Sequence, residues 1–334
     1  MFKNKIFFVT GGTGSFGKHF IKILLKKHDV RKVIIFSRDE LKQFEMKNDP
    51  ELTKYNKKLR FFIGDIRDRD RLNYALNQKI DYVIHAAALK HVPLAEYNPY
   101  EAVKTNIIGA QNIVDLTTNY NIEKVITLST DKAASPINLY GATKLASDKI
   151  MIAANNYSKK TKFSVVRYGN VFASRGSVVP FFIDIKKKGY FPITDKRMTR
   201  FNLSLSEGVE LVLFATYHSI GGEIFVPKIP SFKITDLAKA IDPKLPMKVI
   251  GIRPGEKLHE EMITLADSQN TIEFSNYYII KPNSEYYNWN LKHYLKKTKS
   301  KKFKRVNENF SYNSFSNKKY LKVSDLKKII SKFK

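Results

Sequence analysis

The sequence predicts a doubly wound α/β protein, a parallel sheet with helices on both faces, followed by a smaller C-terminal lobe. Three observations carry this expectation. Short, almost continuously apolar runs alternate with longer helical stretches through the first half of the 334 residues. A glycine-rich turn follows the first run and opens a helix. After Asn170 the alternation weakens, and Pro180, Pro192, Pro227, Pro230, Pro243, Pro246 and Pro254 divide the chain into shorter pieces.

The apolar runs occupy residues 6–9, 33–36, 61–63, 82–85, 125–128 and 164–167. Runs that are apolar throughout, rather than at every second position, suit strands buried on both faces of a parallel sheet. Length at about 150 residues per domain leaves room for a large first domain and an appended lobe. We place a dinucleotide-binding domain at 1–170, joined by parts of 200–228, a substrate lobe at 171–285, and a basic extension at 286–334. In the extension, residues 286–305 are expected to loop over the surface before a closing helix at 323–332.

Composition narrows the chemistry. With 43% hydrophobic and 27% charged residues the chain is an ordinary globular protein. The lack of cysteine excludes disulfides, a cysteine zinc site and a thiol nucleophile. His85 and His91 lack metal-ligand spacing with any partner, so no metal is expected. The start, Met1-Phe2-Lys3-Asn4-Lys5, leads into an apolar run too short for a signal peptide. No stretch approaches the roughly 18 apolar residues of a membrane span, and a cytoplasmic protein is expected. The net charge of +28 is uneven: residues 281–334 hold 16 Lys and Arg against three acidic residues. Tyr286, Tyr287, Trp289, Tyr294 and Phe303 among those lysines imitate a stacking platform for nucleic acid, but a lysine-rich proteome gives the same appearance, and no nucleic-acid role is expected.

Thr10-Gly11-Gly12-Thr13-Gly14-Ser15-Phe16-Gly17 follows the first strand. Gly11, Gly14 and Gly17 allow a tight turn, close approach to a pyrophosphate, and tight helix–strand packing. The helix N-terminus then offers free N–H groups and partial positive charge to the phosphates. At the tip of the second strand stand Ser37-Arg38-Asp39. Ser37 and Arg38 are placed to accept a 2′-phosphate, which favours NADP; Asp39, suited to a ribose hydroxyl, keeps NAD open. Asp65 after the third strand is placed for the adenine edge, and Ala86, Ala87 and Ala88 after the fourth let a cofactor pass closely.

Leu128-Ser129-Thr130-Asp131-Lys132 is followed by Tyr140-Gly141-Ala142-Thr143-Lys144. Tyr140 and Lys144 share a helix face at a spacing of four. A neighbouring ammonium favours the phenolate, so Lys144 is expected to draw the Tyr140 pKa toward neutrality for proton abstraction from a hydroxyl.

These residues together resemble the short-chain dehydrogenase/reductase superfamily in its extended, Rossmann-type form. The resemblance narrows to the soluble, C5-inverting UDP-N-acetylglucosamine 4,6-dehydratases. It is carried by residues 37–43, Ala88-Leu89-Lys90-His91-Val92-Pro93, 129–132 and 138–144. Further matches are Arg167-Tyr168-Gly169-Asn170-Val171, residues 174–180, Arg197-Met198-Thr199-Arg200-Phe201 and Gly251-Ile252-Arg253-Pro254-Gly255-Glu256-Lys257. Matching motifs run through residues 5–280 and resume at Phe310-Ser311-Tyr312.

The resemblance implies a bound NADP, with Lys42, Ile66 and Lys90 among its contacts. It implies UDP-N-acetylglucosamine as substrate, met by Lys90, Tyr140, Asn170, Ser177, Val178, Thr194, Arg200, Arg253 and Glu256. Tyr140 would take the C4 hydroxyl proton, Thr130 would bind that oxygen, and Lys144 would also hold the nicotinamide ribose. A neutral Lys132 would remove the C5 proton while Asp131 protonates the departing C6 hydroxyl. It further implies a homo-oligomer, dimer or hexamer, serving pseudaminic acid synthesis and flagellin glycosylation. A 4-epimerase of the same superfamily is the alternative; it would keep Tyr140 and Lys144 without needing the pair at 131–132. Departures from the family pattern are Asn202 in place of an aromatic residue, Ala134-Ser135 in place of Cys-Asn, and the basic stretch 286–305.

Overall fold

The computed structural model describes residues 1–172, 178–283, 287 and 289–333. Strands β1 (Ile6–Thr10), β2 (Lys32–Ser37), β3 (Leu59–Ile63), β4 (Tyr82–His85), β5 (Lys124–Thr130) and β6 (Lys162–Tyr168) run parallel in the order β3-β2-β1-β4-β5-β6. Every residue of β1 and β4 is buried, as covered faces on both sides of a sheet demand. The strand order reverses between β1 and β4, and a crevice opens there at their carboxyl ends. The helix Ser15–Lys27 packs Phe20, Ile21, Leu24 and Leu25 onto the sheet and ends in Lys26 and Lys27, which suit its negative terminus.

The sheet does not stop at residue 170. The strand Ile224–Pro227 adds parallel to β6, and Tyr277–Ile280, Thr271–Phe274 and Phe303–Arg305 follow antiparallel, making ten strands. Residues 286–305 therefore depart from the surface loop expected of them. Among the described residues they form the helix Leu291–Thr298 and the outermost strand. Tyr294 is fully buried between Phe225 and Phe274, and its hydroxyl lies 3.1 Å from that of Tyr277. Burying such a ring contributes roughly 2–3 kcal/mol, and it removes Tyr294 from any stacking platform. Tyr287 is half-buried and donates to the Ile220 carbonyl, while Tyr286 lies outside the described residues.

The lobe has its own core of Phe172, Val179, Phe182, Phe191, Met198, Phe232, Leu237, Leu326 and Ile330. The closing helix, Val323–Ile330, brings the last two residues against the helix Ile234–Ile241. The short strands Thr199–Phe201 and Ser231–Lys233 pair and carry Arg200 to the mouth of the crevice. No helix among the described residues is long and apolar enough to cross a membrane, and no cluster among them is fit to hold a metal ion.

Candidate active site

A cleft of about 1060 Å³ runs from the glycine turn to the lobe. Gly11 has φ +63°, and a Cβ there would stand 2.8 Å from the Ala87 nitrogen, so only glycine lets the turn meet the chain leaving β4. Gly14 precedes the first helix without a side-chain cap, so the first-turn N–H groups beside Ser15, Phe16 and Gly17 have no intrahelical partner. At the tip of β2, the Thr13 hydroxyl donates to Ser37 Oγ at 3.1 Å, and Gln43 Nε2 donates to the Ser37 carbonyl and hydroxyl. Asp39 is already engaged: its carboxylate accepts from the Lys42 N–H at 3.0 Å and from Lys42 Nζ at 2.5 Å, capping the helix Glu40–Lys47. Arg38 is largely exposed, with only a 3.5 Å approach to Asp65. Asp65 accepts from the Arg67 N–H and Nε, each at 2.9 Å. Burial opposes its charge, but Arg67 outweighs burial and holds the carboxyl below its ordinary value.

The reacting groups sit where β5 ends. Thr130 accepts from the Lys132 N–H, closing a single turn, and its hydroxyl donates to Asp131 Oδ1 at 3.0 Å. Lys132 Nζ donates to Asp131 Oδ1 and Asn170 Oδ1, each at 3.1 Å, and to Glu260 Oε1 at 3.4 Å. Tyr140 and Lys144 enter from the helix Leu139–Ala153, capped by Asn138, which accepts from the Gly141 N–H at 2.8 Å. A Cβ on Gly141 would fall 2.2 Å from the Lys132 carbonyl oxygen, so this glycine lets the helix lie against the Lys132 turn.

Burial and charge set the protonation states. Burial, then the Glu260 charge, push the Asp131 carboxyl above its ordinary range. Burial disfavours the Lys132 ammonium but is outweighed by Asp131 and Glu260, which hold its pKa above the usual lysine value. Lys132 therefore rests as the ammonium, and the neutral form expected from sequence belongs to the moment of proton removal. Burial also pushes the Tyr140 phenol up to about 12, and the cation that opposes this rise is Lys132. The pull expected of Lys144 on Tyr140 is outweighed here, because desolvation of the phenolate dominates. Burial lowers the Lys144 pKa, with Asp148 opposing.

Every described residue expected from sequence lines this cleft except Asp131, which is buried behind Lys132. Thr13, Lys42, Ile66, Ala86, Ala87 and Lys90 lie on the dinucleotide side; Asn170, Val178, Thr194, Arg200, Arg253 and Glu256 lie toward the lobe. Ser177 lies outside the described residues. Arg200 donates to Glu256 Oε1 at 3.2 Å and to the carbonyls of Thr199 and Leu258. Sequence reading missed Glu260 and Asn106. Asn106 exchanges two 2.8 Å hydrogen bonds with the Leu89 backbone and donates to Thr143 Oγ1 at 3.0 Å, fixing the loop that presents Lys90. It stands in a π-helical turn, Lys104–Ile108, a local widening common at functional sites. Asn202, the departure from the aromatic pattern, is buried with its amide oxygen unpartnered among the described residues.

A polysaccharide biosynthesis protein family model matches residues 7–282. An inverting UDP-N-acetylglucosamine 4,6-dehydratase of Campylobacter jejuni is 52% identical, over 99% of this chain and 98% of that protein. A UDP-glucose 4-epimerase of Rickettsia bellii is 44% identical over 84% of each chain. The crystal structure of Pen from Bacillus thuringiensis superposes with a TM-score of 0.86 at 35% identity, covering 100% of this chain and 99% of that one.

Proposed function

The chain belongs to the polysaccharide biosynthesis protein family, within the extended short-chain dehydrogenase/reductase superfamily, and on that premise we infer that it is an inverting UDP-N-acetylglucosamine 4,6-dehydratase. The observation that supports this most is the Asp131–Lys132 pair, with Nζ and Oδ1 3.1 Å apart, beside Tyr140 in a cleft that begins at a dinucleotide turn. A 4-epimerase has no use for a buried acid–base pair at that place.

A nicotinamide cofactor held in this cleft would supply the hydride chemistry, accepting at C4 and donating at C6 with no net oxidation over a turnover. Gly11, Gly14 and Gly17 with the first turn of the helix hold its pyrophosphate. Ser37 and Arg38 take a 2′-phosphate, and Asp39, engaged by Lys42, does not compete; NADP is the form bound. Tyr140 accepts the C4 hydroxyl proton, Thr130 binds that oxygen, and Lys144 holds the ribose. The resting proton sits on Lys132. Its transfer across 3.1 Å to Asp131 creates the base for C5 and the acid for the C6 hydroxyl in one move. Lys90, Asn170, Thr194, Arg200, Arg253 and Glu256 receive the UDP-sugar. Reprotonation of C5 on the opposite face gives the L-arabino 4-keto sugar. The same reading carries a cytoplasmic homo-oligomer serving the first step of pseudaminic acid synthesis.

Isotopes test it. Substrate deuterated at C4 yields product deuterated at C6, lighter by one water, with one solvent deuterium at C5 when the reaction runs in heavy water. The Rickettsia relatives favour the epimerase as the second reading, and a product of unchanged mass with C4 inverted would establish it instead.

A further inference from the structure

Glu260 is 3% exposed, and its backbone is clamped by Ser314, whose hydroxyl accepts the Glu260 N–H at 2.9 Å and whose N–H donates to the Glu260 carbonyl at 2.7 Å. Its Oε1 lies between two cations, 3.4 Å from Lys132 Nζ and 3.5 Å from Arg200 Nε; its Oε2 has no hydrogen-bond partner among the described residues. The charged groups facing it are Asp131 and Lys132 from the turn after β5, Arg200 from the strand Thr199–Phe201, and Lys257 from its own loop. Two buried carboxylates thus flank one lysine, where a single carboxylate would complete an ion pair.

We propose that Glu260 is a positioning residue for the elimination step: its fixed charge aligns the Lys132 ammonium with Asp131 and keeps one proton on that pair. The proposal rests on the dehydratase reading above. Asp131 and Lys132 are close enough to titrate as a unit, so a neighbouring negative charge delays loss of the proton they share. Glu260 opposes ionisation of Asp131 and favours the charged form of Lys132, both in the direction the proposal requires. A pair that has lost its proton has no acid for the C6 hydroxyl.

The test is the pH profile of kcat and a single turnover of the cofactor-loaded enzyme, for wild type, Glu260→Gln and Glu260→Asp. In Glu260→Gln the alkaline limb moves to lower pH by about one unit, while the acid limb stays. Elimination slows by about tenfold with C4 oxidation unchanged, so reduced cofactor accumulates. Glu260→Asp keeps the charge and returns the limb to the wild-type position. An unmoved alkaline limb in Glu260→Gln, or oxidation and elimination slowed alike, overturns the proposal and makes Glu260 a latch between the two loops. Should Glu260→Gln fail to fold, Glu260→Asp decides: a shifted limb with the charge retained overturns the proposal. Wild-type product of unchanged mass overturns the dehydratase reading and the proposal together; water loss in the wild type with an unmoved limb overturns the proposal alone.

Discussion

Asn138 Nδ2 donates to the Gly255 carbonyl at 2.8 Å while Asn138 Oδ1 accepts the Gly141 N–H at 2.8 Å. One side chain therefore caps the helix bearing Tyr140 and Lys144 and holds the loop bearing Arg253 and Glu256.

Two substitutions separate those duties. Asn138→Ala loses the cap, at a cost of about 1 kcal/mol, together with the tie to Gly255. Asn138→Ser restores the cap but cannot reach Gly255. Urea denaturation should show the serine variant recovering most of the stability, while KM for the nucleotide sugar stays raised in both variants. Equal KM values for Asn138→Ser and wild-type enzyme would show that the tie does not shape the substrate site.

Arg38→Asp should reverse cofactor preference from NADP to NAD, because it replaces the exposed cation at the β2 tip with an acid free to bind a ribose hydroxyl. Calorimetry on enzyme stripped of cofactor measures both affinities. Equal or tighter NAD binding by the wild type would remove the 2′-phosphate role from Ser37 and Arg38.

Tyr140→Phe keeps the packed ring and loses the proton acceptor, so turnover should fall about 10²–10⁴-fold with cofactor binding retained. Because burial raises the Tyr140 pKa to about 12, wild-type activity should climb as pH rises through the neutral range, where the phenolate fraction grows. Lys132→Ala should complete C4 oxidation and stop, leaving reduced cofactor visible by absorbance; turnover at the wild-type rate would move the elimination base elsewhere.

Acid should destabilise the fold through His85. Its Nδ1 lies 2.8 Å from the Thr10 hydroxyl, and burial, then the Lys144 charge, lower its pKa to about 3. The unfolded histidine takes a proton near the ordinary 6.5 and the folded one does not until about 3. Stability is thus whole above about 6.5 and is lost as pH falls, by on the order of 1.4 kcal/mol per unit. His19, His28, His218 and His259, whose pKa values burial also lowers, act in the same direction and in the same range. His85→Gln should therefore flatten, without abolishing, the fall in urea midpoint between pH 7 and pH 5; an unchanged slope would clear His85.

What the sequence disclosed and what it concealed follow from range. The six parallel strands were legible because each is a local apolar run, and the turn at Gly11, Gly14 and Gly17 because its chemistry lies within eight residues. Tyr140 and Lys144 declared themselves by helical spacing. Glu260 meets Lys132 across 128 residues, a separation at which no local pattern exists. The outer strands were hidden for another reason: at three or four residues each, they are too short to show a period. The lysines around Tyr294 masked a ring that packs inward. The high Tyr140 pKa escaped because it depends on desolvation, which a spacing argument does not contain, and that of Lys132 because one of the two carboxylates that raise it, Glu260, is remote in sequence.

The far border of the ten-stranded sheet is Phe303-Lys304-Arg305, exposed along its length and preceded by Lys301 and Lys302. A border with unpaired N–H and C=O groups invites a second molecule to continue the ladder. A second copy pairing through this same strand would bring its own lysines against these, and lysines on an edge disfavour such pairing. The basicity of this border thus acts as a fence against one pairing, that of Phe303–Arg305 in one copy with the same strand in another.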